Sequence, residues 1–388
     1  MKSICRKFNA LLTNYTKEDS KGFTFFARFL TNSPFYVTND TSSSANFFSY
    51  ICSSFNSEKR MKILVTGASG FIGSFIVAEG MNRGYDMYAG IRSTSNRKYL
   101  PEGTRTVELC LGDKEQLKSE LLAHGRFDYI IHNAGVTKCK DKTDFDKVNC
   151  GYTRNFVEAL IESDTIPRKF LFVSSMAAFG PGDPKTLEPV KLSDTPKPDT
   201  LYGISKLKAE EFIMAQKDFP YLFLRPTGVY GPREKDYFVF LKTVNNHLEP
   251  AMGTKKQHLT FIYVTDLVNA MFLALESEFL QKAWFVSDGK VYDNREYATI
   301  VKKHLNRWAL YLPVPLFLVK AISYTLDTVG GWIGVSPTLN KDKYKIMRAT
   351  NWKCEVEPLQ RDLGFEAIYD LDKGIEACVE WYRKEKWL

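Results

Sequence analysis

Tyr202 and Lys206, in the run Tyr202-Gly203-Ile204-Ser205-Lys206, are the pair in this chain best suited to moving a proton. Four residues apart on a helix, they share one face. An ammonium beside a phenol favours the phenolate, so Lys206 is expected to draw the pKa of Tyr202 down toward the working range. Such pairs also arise by chance on helix surfaces, so a second element has to support the reading. It comes from Val173-Ser174-Ser175-Met176-Ala177, where two serines end a short apolar run. Strand ends of a parallel sheet face the crevice where ligands bind. A serine hydroxyl there can bond a reacting oxygen and orient it toward Tyr202.

A glycine-rich turn supplies the rest of the chemistry. Thr66-Gly67-Ala68-Ser69-Gly70-Phe71-Ile72-Gly73 follows one apolar run and opens another. One glycine permits a tight turn, one lets the backbone approach a pyrophosphate, and one lets helix and strand pack closely. The free N–H groups of the helix start at Gly70, Phe71, Ile72 and Gly73 then suit phosphates. This context favours nucleotide binding over a purely structural turn. The ribose is expected at the end of the second strand, Gly90-Ile91-Arg92-Ser93. No acid lies in that turn, so Arg92 points to NADP ahead of NAD, against the plainer reading of a solvated side chain. Asp113 either meets the adenine ring or caps the helix that follows it.

The elements that must position these groups can be read from the pattern. Apolar runs at Lys62–Thr66, Met87–Ile91, Thr106–Leu111, Phe127–His132, Phe170–Ser174 and Tyr221–Arg225 predict six strands. Phe71–Arg83, Lys114–Ala123 and Phe145–Ile161 read as helices between them. This alternation predicts an α/β fold, a doubly wound parallel Rossmann sheet with a smaller C-terminal substrate-binding region. The expected division is an irregular N-terminal extension over 1–60, a nucleotide-binding and catalytic core over 61–235, and a mainly substrate-binding region over 236–388. A segment near 261–280 is expected to return to the core. Residues 1–60 are rich in Ser, Thr, Asn and Phe, with an aromatic cluster at Phe23–Leu30 and no period of 2 or 3.6. They are expected to be poorly ordered; a start placed too early, with the chain proper beginning at Met61, also stays open.

Composition bounds the function. Lys and Arg exceed Asp and Glu by 53 to 45, and residues 1–60 hold half of that +8 excess. The remainder is too weak, and too free of basic helices, to argue for nucleic acid. Seven irregularly spaced cysteines without a C-x-x-C read as reduced thiols of a cytoplasmic protein. Five histidines in no ligand-like spacing give no reason to expect a metal. No apolar run reaches the roughly 18 residues of a membrane span. The nearest, Trp308–Val319, is interrupted by Pro313 and Pro315. It reads first as buried core, then as a lid over a substrate pocket or an interfacial patch.

Glycine turn, His132-Asn133-Ala134-Gly135, Ser174-Ser175 and Tyr202…Lys206 occur in an order and spacing that resembles the extended short-chain dehydrogenase/reductase family, the group of NAD-dependent epimerase/dehydratase proteins. Leu224-Arg225-Pro226-Thr227-Gly228-Val229-Tyr230-Gly231-Pro232 and Phe261-Ile262-Tyr263-Val264-Thr265-Asp266 are similar to later segments of that family. The resemblance implies Ser175 as the substrate-orienting serine, Tyr202 as the acid/base and Lys206 as the lysine that tunes it and holds the nicotinamide ribose. It places Asn133, Ala134 and Gly135 along the cofactor, Pro226 near the nicotinamide, and Asn149 as a family asparagine on the fourth helix.

The family spans several chemistries, and fold does not choose among them. Dehydratases carry an Asp-Glu pair where Met176-Ala177 stand here. Many sugar-nucleotide epimerases carry an Arg, suited to a diphosphate, where Leu259 stands, and an Asn where Gly228 stands. The favoured reading is therefore hydride transfer at an alcohol or ketone carbon of an apolar, ring-containing small molecule. The resemblance there is to dihydroflavonol reductases and 3β-hydroxysteroid dehydrogenases. Two alternatives stay open: a sugar-nucleotide epimerase, with Lys255, Lys256 or Arg233 replacing the arginine, and a non-catalytic NADP(H) sensor or scaffold. The oligomeric state is open as well, a homodimer included.

Overall fold

The computed structural model describes residues 60–139, 141–333, 337 and 339–388. The expectations for the N-terminal extension, Phe23–Leu30 included, lie outside the described residues. Seven parallel strands form the central sheet in the order β10-β6-β5-β4-β1-β2-β3. They are β1 (Lys62–Thr66), β2 (Asp86–Ile91), β3 (Arg105–Glu108), β4 (Tyr129–His132), β5 (Lys169–Val173), β6 (Tyr221–Pro226) and β10 (Lys282–Val286). The third strand stops at Glu108, short of the expected Leu111. The seventh was not legible in the sequence. Strand order reverses between β1 and β4, which pair from Ile63↔Tyr129 to Thr66↔His132. The crevice at that reversal is where doubly wound sheets bind ligands.

Both faces of the sheet are covered, so its inner strands are apolar on both sides, while the edge strand β3 buries Val107 alone. Ile63, Val65, Leu171 and Val173 pack with Ile76 and Val77 of α1 (Phe71–Asn82). Intervening Leu64, Phe170 and Phe172 turn to the other face. They meet α2 (Lys114–His124), α3 (Tyr152–Glu162) and α4 (Leu201–Met214) through Leu117, Phe156 and Ala209. The expected helix 145–161 is not uniform. A π-helical turn, Asp146–Gly151, precedes α3, and such turns re-aim a side chain within a helix.

Beyond β6 the chain leaves the sheet and comes back. β7 (Gly228–Tyr230) pairs with β9 (Phe261–Tyr263), while α5 (Lys235–Asn245) and β8 (Leu248–Met252) lie between them in sequence. α6 (Val264–Glu276) packs Leu267, Met271 and Leu275 into the same cluster as α1, and β10 pairs with β6. α7 (Asn294–Leu305) and α11 (Leu371–Lys384) build a second cluster around Tyr230, Phe261, Tyr297 and Tyr382. β11 (Leu310–Val314) pairs with β8. It leads into α8 (Leu316–Ile333), α9 (Lys341–Arg348) and α10 (Glu357–Leu363).

The core reading of Trp308–Val319 is overturned. Trp308 is 70% exposed and Leu310 60%, and within the segment Val319 is the buried residue. An apolar run of this length cannot be told from a core segment by composition alone, and here it lies outside.

Candidate active site

The glycine turn is built as its spacing requires. Gly67 takes φ +66°, and a side chain there would meet Ala134 Cα at 2.9 Å. A side chain at Gly73 would overlap the Gly67 carbonyl oxygen and the Ala68 backbone, so helix and strand approach this closely only with glycine. Gly70 precedes the first turn of α1, which has no side-chain cap and no acid. The N–H groups of that turn are thus left for an anion.

Asn133, Ala134 and Gly135 follow β4 at the reversal of the sheet. Their loop is braced from two sides. Asn149, fully buried on the π-helical turn, accepts from Val136 N–H at 2.8 Å and donates to Val136 O at 3.0 Å. Its amide also donates to Ser205 Oγ on α4. A side chain at Gly135 would meet Asn149 Oδ1 at 2.9 Å and Lys206 Nζ at 3.4 Å. Below the loop, Ala134 N–H donates to Thr66 Oγ1. Thr66 Oγ1 in turn lies 2.8 Å from His132 Nδ1, and His132 Nε2 lies 3.0 Å from Thr153 Oγ1. Thr153 spends its own proton on Asn149 O, so the ring donates from Nε2 and accepts at Nδ1. Burial, then the charge of Lys206, pushes this imidazole down to about 3. It is a neutral structural link between β1, β4 and α3.

Ser175, Tyr202 and Lys206 come together across the ends of β5 and α4. Thr200 caps α4 by accepting from Gly203 N–H, which fixes where the helix starts and so where Tyr202 sits. A side chain at Gly203 would collide with Ala177 O, which lets α4 press against the strand-five end. Ser175 Oγ accepts from Ala177 N–H at 3.1 Å, and the same side chain is the group that lowers the pKa of Tyr202. Ser174, its neighbour, has a buried hydroxyl with no partner among the described residues.

One expectation is corrected. Burial raises the pKa of Tyr202, with Ser175 alone opposing it. Lys206 is not among the groups that shift the phenol; its Nζ donates to Val173 O at 2.8 Å and lies over the Phe172 ring. Burial brings Lys206 itself down to about 8, against a smaller opposing effect of Glu210. The carboxylate of Glu210 is engaged by Arg225 at 2.7 Å.

Pro226 ends β6, buried, opposite Val286. Arg92 lies exposed after β2, its backbone N–H held by Ser95 Oγ. The sheet brings Glu108 opposite Ile91, an acid that reading along the chain did not place there. Arg97 takes it at 3.8 Å. Asp113 caps α2 by accepting from Gln116 N–H, its plainer expected role.

The family model of the NAD dependent epimerase/dehydratase family matches residues 63–285, a span that holds all of these groups. The chain belongs to that family. It is an oxidoreductase or epimerase enzyme with a Rossmann fold. A 3-beta-hydroxysteroid dehydrogenase of Mycolicibacterium neoaurum is 24% identical over 340 residues, covering 83% of this chain and 91% of that protein. A UDP-glucose 4-epimerase of Corynebacterium glutamicum is 27% identical over 245 residues, covering 56% and 71%. Among solved structures, the NAD complex of Thermus thermophilus UDP-glucose 4-epimerase has a TM-score of 0.67 at 22% identity, covering 83% of this chain and 99% of that one. The family is NAD dependent, and the uncapped α1 start, the glycine cradle and the orphaned Ser174 hydroxyl fit a dinucleotide.

The bracing by Asn149, His132, Thr66 and Thr153 was not legible along the chain. A histidine ending an apolar strand was the available signal, since a buried imidazole needs two partners.

Proposed function

We propose that this enzyme moves hydride between NADP(H) and the alcohol or ketone carbon of an apolar, ring-containing small molecule. The observation that carries this is Leu259. It occupies the place where many sugar-nucleotide epimerases carry an arginine, and it packs against the Tyr292, Tyr297 and Phe261 cluster. Of the lysines that could have replaced that arginine, Lys256 reaches outward to Asp293 at 3.1 Å and Lys255 is exposed. The steroid dehydrogenase relative also runs the length of the chain's enzyme body, which supports the ring-substrate branch.

In this reading Ser175 holds the substrate oxygen and Tyr202 gives or takes its proton. The raised pKa keeps Tyr202 protonated at neutral pH, the state needed to reduce a ketone. Lys206, charged below about pH 8, offers its remaining N–H groups to the nicotinamide ribose. Asn149 holds the cofactor-side loop in place. When bound, the nicotinamide supplies or accepts the hydride. Arg92, exposed and without an ion-pair partner among the described residues, would take a 2′-phosphate. Five free thiols, Cys110, Cys139, Cys150, Cys354 and Cys378, support a reducing, cytoplasmic setting.

A panel of steroid-like and flavonoid-like ketones with NADPH, set against UDP- and dTDP-sugars, tests the substrate class. Ketone reduction without epimerisation is expected; clean epimerisation with no ketone reduced overturns it. Titration of both cofactors should show tighter NADP(H), with most of the gap lost in Arg92→Ala. The second reading, a sugar-nucleotide epimerase, draws on Arg233. Its guanidinium stacks on Phe75 and Tyr99, with no carboxylate in contact among the described residues. Binding of NADP(H) with no turnover of any panel member would favour the sensor.

A further inference from the structure

Two neighbouring elements of this protein are turned inside out. In the β8–β11 ribbon, Leu248 lies opposite Leu310, and Pro250 opposite Leu312. All four are exposed, whereas Glu249 points inward, buried and bonded by Lys302 at 2.6 Å and Arg295 at 3.3 Å. α8 repeats the inversion. Phe317, Leu318, Ile322, Leu326 and Val329 face outward, with Phe317 70% exposed, while Ser323 is buried and the Asp327 side chain is only 10% exposed. A helix on a water-facing surface has the opposite arrangement.

The exposed charge carried by this segment has one sign. Asp327 is the sole acid between Trp308 and Gly330, and Lys142 neutralises it at 2.7 Å from behind. Lys320 stands exposed among the outward apolar residues of α8. Arg307 directly precedes Trp308, and Lys255 follows Gly253, the glycine against Leu316 at the start of α8. Tyr324 lies between Lys320 and Lys341, at 5.7 and 4.8 Å from its ring. Outward leucine, phenylalanine and tryptophan, edged by lysine and arginine and free of acids, match the boundary of an anionic bilayer. Among the described residues no helix is long and apolar enough to cross a membrane, so this face lies on the surface.

We infer that the β8–β11 ribbon and α8 seat the enzyme on an anionic lipid surface. α8 packs against α9, and α9 is tied to the start of the catalytic helix. Asp342 accepts from Leu201 N–H at 2.9 Å, and Lys345 donates to Asp199 O at 2.5 Å. The lipid face thus adjoins the Tyr202 end of the cleft, where a substrate dissolved in lipid would enter. That purpose, unlike the surface itself, rests on the apolar substrate proposed above.

Flotation of the full chain with vesicles of phosphatidylcholine and phosphatidylglycerol tests it. Wild type should float, and Phe317→Glu with Ile322→Glu should lower the bound fraction about tenfold or more. Leu310→Glu should lower it too. Lys320→Glu should weaken binding to these vesicles more than to pure phosphatidylcholine. All three variants change exposed residues, so melting temperature and cofactor affinity should hold, which separates loss of binding from misfolding. Absence of flotation, or equal flotation of the variants, overturns the inference. So does a dimer in sedimentation that Phe317→Glu abolishes, because a second copy then covers the face. Ketone reduction in lipid-free buffer reads the proposed chemistry separately, so either idea can fail alone.

Discussion

At the scale of single residues, the arrangement separates proton chemistry from charge. Tyr202 is half-buried and its pKa is pushed up, so in the proposed reaction it is the acid that holds its proton until a carbonyl oxygen arrives. Tyr202→Phe should lower turnover about 10²–10⁴-fold while cofactor affinity stays unchanged, as read by steady-state rates and fluorescence titration. Lys206 carries a different signature. Burial favours its neutral form, so above about pH 8 the folded protein has released a proton that the unfolded chain keeps up to the ordinary lysine range. Across that window the stability contributed by this site rises with pH. Cofactor affinity moves the other way, because an anionic dinucleotide favours the charged ammonium. Affinity should fall as pH rises through about 8 in wild type, by roughly tenfold per pH unit at most. It should stay flat in Lys206→Met. An equal slope in both proteins would remove Lys206 from the cofactor site.

At the scale of elements, one asparagine joins three pieces of chain. Asn149 sits on the π-helical turn, meets the loop after β4 through Val136, and reaches α4 through Ser205. Asn149→Ala leaves the Val136 N–H and C=O without their partner in a partly buried site. An unsatisfied buried group costs about 1–3 kcal/mol, and water reaches part of this site, so urea unfolding should show a loss of about 1–3 kcal/mol. Turnover should drop with it, since the loop it braces is the one proposed to line the cofactor. The same element shows what the sequence could and could not carry. Six strands were legible because each is a short run bounded by turns, and all but the edge strand β3, where Val107 alone is buried, are largely buried on both faces. Lys282–Val286 was missed because Lys-Ala-Trp-Phe-Val comes after a long excursion, where no alternation of strand and helix announces it. The glycine turn and the Ser175, Tyr202 and Lys206 set were legible as local spacings. The direction of the Lys206 amine was not, since the Val173 carbonyl that holds it lies on another element. Trp308–Val319 misled because hydrophobicity reports what avoids water, not whether protein covers it.

At the scale of the whole molecule, the seven-stranded sheet and its two covering layers are built from residues 62–286, with α10 and the Phe365 region closing one side. A chain starting at Met61 should therefore keep its melting temperature within a few degrees and its cofactor affinity within a factor of about two. Calorimetry and cofactor titration check this; a large loss of either would give the first 60 residues a part in the fold.

The return of β10 to the sheet also has a meaning for synthesis. β6 ends at Pro226, and its partner along that edge begins only at Lys282. Until the ribosome has released that stretch, Leu222, Phe223 and Leu224 end in an open, apolar edge, the kind that recruits other strands. A protein cut after residue 235 would carry that edge permanently, and it should aggregate rather than fold as a free nucleotide-binding domain. The excursion between β6 and β10 is thus a loop that the sheet must wait for, and its length sets how long the nascent chain needs shelter.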